Sequence, residues 1–210
     1  MDQPLSRRAW IIGGSLILAS VLVGFVLRDA AYLIPGGAYL PNALFSAALL
    51  VFAFGIRGAG SVTARRPLGT AALTLLAVWT LGWPLLLNLL LTDEYSPVLQ
   101  GVGYVDLVVQ LVLAVVAVTQ IARAGVVPRP WKWAPAWALA AVVVPQLLEQ
   151  VLVIGMTAQD STSAIMLALT FEGLLRTGAM LFLGVLAIVL GNRPAQPQRV
   201  TVIPSAGVEH

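Results

Sequence analysis

The amino-acid sequence predicts an all-α, polytopic integral membrane protein with six transmembrane helices and both termini in the cytoplasm. Of its 210 residues, 59% are hydrophobic and only 10% are charged, and the mean hydropathy is +0.92. About a quarter of the residues in a soluble domain are charged, and disordered chains are poor in apolar residues. The composition therefore excludes a soluble domain and a disordered chain. The number of long apolar runs predicts the number of transmembrane helices.

Six runs are apolar and long enough to be transmembrane helices. In chain order they cover residues 10–27, 39–56, 68–91, 98–121, 133–154 and 164–190. A helix needs about 20 apolar residues to cross a hydrocarbon core of ~30 Å, and the segments between the runs are too short to fold independently. We therefore predict a single transmembrane domain over 1–190, followed by a flexible cytoplasmic tail over 191–210.

Charge fixes the predicted orientation. Ten of the twelve basic residues lie before the first run or in the segments that follow the second, fourth and sixth runs. They are Arg7, Arg8, Arg57, Arg65, Arg66, Arg123, Arg129, Lys132, Arg193 and Arg199. Loops rich in Lys and Arg stay in the cytoplasm. Arginine outnumbers lysine eleven to one, as is typical of GC-rich bacterial genomes, so we expect a multi-pass protein of the bacterial cytoplasmic membrane.

The residue inventory excludes several kinds of chemistry. The chain contains no cysteine, and its single histidine is His210. Thiol nucleophiles, Ser-His-Asp triads and histidine-based metal sites are therefore impossible, and no phosphate-binding P-loop motif occurs. We expect no cofactor, no metal and no enzymatic activity. The topology already explains the basic residues, so we expect membrane lipid rather than nucleic acid as a partner.

Ionisable residues inside the apolar runs are the informative ones, because each costs about 2.5–3.5 kcal/mol at the centre of a membrane helix. Asp106, Glu149 and Glu172 come from three different helices. At 1.5 Å per residue they lie ~12, ~8 and ~12 Å below the outer boundary. Arg176 lies one turn deeper than Glu172, at ~18 Å. The sequence therefore predicts one layer of carboxyl groups in the outer half of the bundle.

Amide and aromatic residues extend this layer along the same helix faces, because residues three or four apart share a face. The complete predicted ion or substrate pocket is Asp106, Gln110, Gln146, Glu149, Glu172, Arg176, Asn88 and Trp83. We expect it to open outward and to be walled by the third to sixth helices, since polar faces point into a bundle. The apolar segments 111–118 and 180–190 predict a sealed inner half.

Three functions remain possible. A proton- or cation-coupled carrier, or a permease component, would use the carboxyl layer to bind a small cation or a proton. A non-catalytic scaffold or accessory subunit would use the same residues to join its helices, since polar side chains in membranes contribute about 0.6 kcal/mol per hydrogen bond. An enzyme acting on lipids would need two of the carboxyl groups as acid and base. The carrier is the sharper hypothesis and the scaffold is its alternative.

Overall fold

The computed structural model describes residues 3–28, 36–57, 59–90, 98–127, 131–155 and 161–193. Within these, only the backbone is described at residues 3–4, 90, 98–102, 148–155 and 161–165. Residues 29–35, 91–97 and 156–160 of the predicted outer connections, and the predicted tail from residue 194 onward, lie outside the described residues.

The described chain is helical apart from its connections. The helices are α1 (Gln3–Val26), α2 (Leu40–Phe54), α3 (Pro67–Leu90), α4 (Val98–Ala124), α5 (Ala134–Gly155) and α6 (Ser161–Gly191). Short 3-10 turns at Gly37–Tyr39 and Trp131–Trp133 lead into α2 and α5. The only strand-like pairing among the described residues is one isolated bridge between Ile56 and Ala59. The prediction of an all-helical chain is confirmed.

Five of these helices, α1, α2, α3, α4 and α6, are long and apolar enough to cross a membrane. The remaining helix, α5, has 22 residues, which is also the length of a crossing, but the side chains of its last part are outside the described residues. The chain is thus a multi-pass helical membrane protein. Both α1 and α6 extend beyond the predicted apolar runs at the end that carries Arg7 and Arg193, because a helix continues through the polar interface.

The helices form a closed ring. Each helix packs against the next in the chain, and α1 also packs against α6. The Arg7 guanidinium donates a hydrogen bond of 2.7 Å to Asn192 Oδ1, so the start of α1 and the end of α6 lie on the same face of the ring. An even number of helices produces this arrangement.

Glycines close the ring between α1 and α6. A Cβ atom added to Gly14 would lie 2.6 Å from the carbonyl oxygen of Gly184, and one added to Gly184 would lie 2.9 Å from the Leu18 side chain. Small residues at helix interfaces in membranes let two backbones approach closely and gain van der Waals contact. The α1–α6 contact therefore depends on the absence of side chains at these two positions.

A buried connection joins α2 to α3 and covers one end of the ring. The amide of Val62 donates to the carbonyl of Phe52 at 3.0 Å, so the connection folds back onto α2. Ser61 Oγ donates to the Ala53 carbonyl at 2.7 Å, and Val62 is only 5% exposed. These bonds satisfy polar groups that would otherwise be buried without partners and hold Val62 at the inner end of the ring.

Candidate ligand-binding site

The ring of helices surrounds a cavity of about 970 Å³, and residues from all six helices line it. Pockets for drug-sized ligands occupy about 300–1,000 Å³, so this cavity is large enough for such a molecule. The sequence predicted walls from the third to sixth helices only. The structure adds α1 and α2, which contribute Ser20 and Asn42 among other residues, because the α1–α6 contact closes the ring.

Six of the eight predicted pocket residues line this cavity: Trp83, Asp106, Gln110, Gln146, Glu172 and Arg176. The side chain of Glu149 lies outside the described residues. Asn88 does not line the cavity; it is exposed, and its Nδ2 donates to the Tyr39 hydroxyl at 2.9 Å. Asn88 lies close to the end of α3, where it joins that helix to the turn before α2.

Asp106 has the most defined surroundings of these residues. Trp79 Nε1 and Gln110 Nε2 each donate to its Oδ1 atom at 2.7 Å. Its other oxygen, Oδ2, receives no hydrogen bond from the residues that the structure describes. The side chain is partly buried and lines the cavity. Two donors therefore fix the orientation of this carboxyl group and occupy only one of its oxygens.

Trp79 is the residue beside Asp106 that the sequence analysis missed. Its ring stacks on Trp83, with centroids 4.8 Å apart and planes at 19°, and Trp83 lines the cavity. The two residues are four apart on α3, so they share a helix face. An indole N–H inside a membrane needs an acceptor. This spacing is the signal that could have assigned Trp79 as the donor to a neighbouring carboxyl group.

Glu172 and Arg176 both line the cavity from α6. No ion pair joins them in this structure, although they lie one turn apart. Glu172 is partly buried and Arg176 is exposed. The two side chains therefore meet the cavity separately.

We accordingly expect Arg176→Ala to change the free energy of unfolding by less than about 1 kcal/mol, because Arg176 forms no ion pair with Glu172 and polar contacts within a membrane bundle average about 0.6 kcal/mol. Removing one partner of a buried ion pair would instead cost about 3–5 kcal/mol. Reversible unfolding in a titration with sodium dodecyl sulfate measures this difference. A loss in the larger range would show that Arg176 neutralises a buried carboxylate.

The prediction that apolar segments seal the inner half of the bundle is not met in this structure. The segments expected to seal it instead line it, through Leu111 and Val118 of α4 and Leu183 and Leu186 of α6. Their apolar character was recognised, but the sequence did not show that a ring of helices keeps them apart. The cavity consequently has two chemically different parts, with carboxyl and amide groups at one end and mostly apolar side chains, together with the indoles of Trp10 and Trp131, along the rest.

Among the residues that the structure describes, no group of three or more His, Cys, Asp or Glu side chains is placed to hold a metal ion. Comparison of the chain with protein-family models, with curated proteins and with solved structures finds no match. The residues and geometry of the cavity are therefore the basis for any functional proposal.

Proposed function

We propose that this chain is a small proton- or cation-coupled carrier, or the permease component of one, in the bacterial cytoplasmic membrane. The observation that supports this proposal most directly is a cavity of about 970 Å³ that reaches Asp106 and Glu172. A helix-joining residue needs no such space beside it. A carrier needs it, because substrate and coupling ion must reach a site near the middle of the membrane.

The charges of the cavity favour a positively charged occupant. Asp106 and Glu172 line it, and Arg176 is the one basic residue among its described lining residues. A carboxylate inside a membrane is costly unless it binds a cation or takes up a proton. Oδ2 of Asp106 is held in place by the bonds to Oδ1 and can accept either one. Glu149 lies on α5, and we propose that it joins this layer.

Replacing Asp106 by Asn tests the proposal. An asparagine keeps an oxygen acceptor for Trp79 and Gln110, so the fold should survive while the charge and the exchangeable proton are lost. In proteoliposomes with an imposed proton or cation gradient, wild-type protein should carry gradient-driven flux and Asp106→Asn should reduce it at least about tenfold, a barrier increase of about 1.4 kcal/mol.

The matched control is Asp93→Asn, the same chemical change in the segment that connects α3 to α4. It should transport like wild type. Equal flux for Asp106→Asn and wild type would remove Asp106 from the mechanism. Absence of flux for wild type across a panel of monovalent and divalent cations would contradict the carrier.

A scaffold or accessory subunit is the second candidate, and one observation favours it. The bond from Trp79 to Asp106 also describes an interhelical polar contact, because it joins α3 to α4. In that case Asp106→Asn should leave every assay except stability unchanged. The flux experiment distinguishes the two candidates.

The proposed orientation places both termini in the cytoplasm. The natural absence of cysteine makes single-cysteine labelling in intact cells a direct measurement. Cysteines at positions 66 and 128 should be protected from a membrane-impermeant maleimide, and cysteines at 93 and 160 should react, because loops rich in Lys and Arg stay inside. Position 66 is exposed, so burial alone would not protect it. The reverse pattern, or reaction at 66 and 93 alike, would contradict the orientation.

A further inference from the structure

The ring of helices is packed unevenly. Every neighbouring pair packs extensively except α4 and α5, which touch far less among the described residues. Burial follows the same trend, since 33% of the membrane-crossing window of α2 is buried and only 6% of that of α4. The boundary between α4 and α5 is therefore the place where the ring opens with the least loss of contact. We call this boundary the α4–α5 seam.

Two side chains mark the seam as a place where the cavity meets the outer surface of the ring. Tyr104 of α4 is 52% exposed and Leu147 of α5 is 48% exposed, and both also line the cavity. Among the described residues, no other large hydrophobic side chain combines strong exposure with a place in the cavity wall. They lie on the two helices that form the seam.

The walls beside the seam suit a hydrocarbon environment. Among the described residues that line the cavity, those of α5 are apolar except for Gln146, and those of α4 from 107 to 121 are apolar except for Gln110. Positions 107–121 and 135–147 contain no charged residue. An apolar group that enters from the bilayer through such a wall has no bound water to lose. A small hydrated ion would have to lose its water, which costs free energy.

The polar end of the cavity defines the head group that fits. Asp106 of α4 offers Oδ2, Glu172 lines the same cavity from α6, and Trp83 presents an indole ring. Carboxylates and the faces of tryptophan rings both attract organic cations. Arg176 lies one turn further along α6 from Glu172. The described cavity wall therefore holds two carboxyl groups, Asp106 and Glu172, and one basic group, Arg176. An anionic head group would meet two carboxylates and is disfavoured.

We propose that the ligand is a hydrophobic organic cation, and that it enters the cavity from the bilayer through the α4–α5 seam. Its charged group binds beside Asp106 and Trp83, and its apolar body lies against Leu111, Val118 and Leu183. This inference rests on the proposed function, because it uses the same cavity, and it names the substrate class and the route of entry.

The first test compares two probes of nearly the same shape and opposite charge. Tetraphenylphosphonium should bind the full-length protein in lipid nanodiscs, measured by equilibrium dialysis, and tetraphenylborate should not. Asp106→Asn should weaken phosphonium binding at least about tenfold, corresponding to 1.4 kcal/mol, and Asp93→Asn should leave it unchanged. Equal binding of the two probes would overturn the charge argument.

The second test closes the seam. Val108→Cys and Val144→Cys are introduced together into this cysteine-free chain and joined with a short bismaleimide. They lie one turn from Tyr104 and Leu147 on the same faces of α4 and α5, are exposed and do not line the cavity. Stopped-flow quenching of tryptophan fluorescence should then show that phosphonium association slows at least about tenfold, because the required opening is blocked. The same double variant treated with a monofunctional maleimide is the control for loss of the valines and for bulk, and it should associate at the unblocked rate.

The outcomes separate this inference from the proposed function. Unchanged association after cross-linking would show that the cation enters from water, and would overturn the lateral route. Gradient-driven flux of protons or small cations that depends on Asp106, without phosphonium binding, would overturn the substrate class and leave the carrier standing. Absence of both flux and binding would contradict the carrier itself.

Discussion

Gly14→Ala should lower the free energy of unfolding by about 1–3 kcal/mol, the cost of overpacking a well-packed interface. The new Cβ would lie 2.6 Å from the carbonyl oxygen of Gly184. That oxygen belongs to the backbone of α6, so it moves only if the helix moves. Because α1 and α6 close the ring, the substitution weakens the contact that joins the two ends of the fold.

Gly178→Ala is the matched control for this prediction. Gly178 lies on α6, and nothing lies within 4 Å of the position that its Cβ would take. The same substitution there should be neutral or stabilise the protein by up to about 1 kcal/mol, since alanine is the better helix former. Unfolding in sodium dodecyl sulfate measures both variants. Equal stability of the two would show that α1 and α6 are not in close contact.

Trp79→Phe should lower the free energy of unfolding by about 0.6–1.7 kcal/mol, the range from the average to the largest value for interhelical hydrogen bonds in a membrane protein. The variant removes the 2.7 Å bond from Nε1 to Asp106 Oδ1 and leaves Gln110 as the remaining described donor. It also frees the orientation of the carboxyl group, so we expect weaker cation binding in the same variant.

The control for this effect is Trp83→Phe, which also alters the stacked indole pair but keeps the donor to Asp106. It should cost less than Trp79→Phe. A double-mutant cycle of Trp79→Phe with Asp106→Leu should reveal a coupling energy of about 0.5–3 kcal/mol, as for residues in direct contact. Additive losses would mean that the bond contributes nothing to stability.

The sequence by itself determined the class of protein and the extent of its helices. Hydrocarbon provides no hydrogen-bond partners, so an apolar run of sufficient length must form a helix whatever surrounds it. For this reason the six predicted runs and the six helices coincide within three residues, except that α1 begins seven residues before its run. The predicted orientation rests on the same kind of local rule, and it stays a prediction.

The sequence also placed chemically related residues at one height, because the rise of a helix is constant. Asp106, Glu172 and Gln146 were grouped in this way, and all three line one cavity. The height of a residue along its helix does not show in which direction around the helix axis its side chain points. Asn88 was included by the same reasoning, and the rotation and position of α3 direct it to Tyr39 instead.

Only the tertiary structure decided what lies between the helices. Apolar helix faces meet or stand apart according to which helices touch. The helices that touch are set by a few close contacts between residues far apart in the sequence, such as Gly14 and Gly184. Those contacts close a ring around a cavity of about 970 Å³, where the sequence alone predicted a sealed inner half. The bond from Trp79 to Asp106 spans 27 positions and likewise required the packing of α3 on α4. Local physics therefore fixed the helices, and interhelical packing fixed the cavity and the groups that face it.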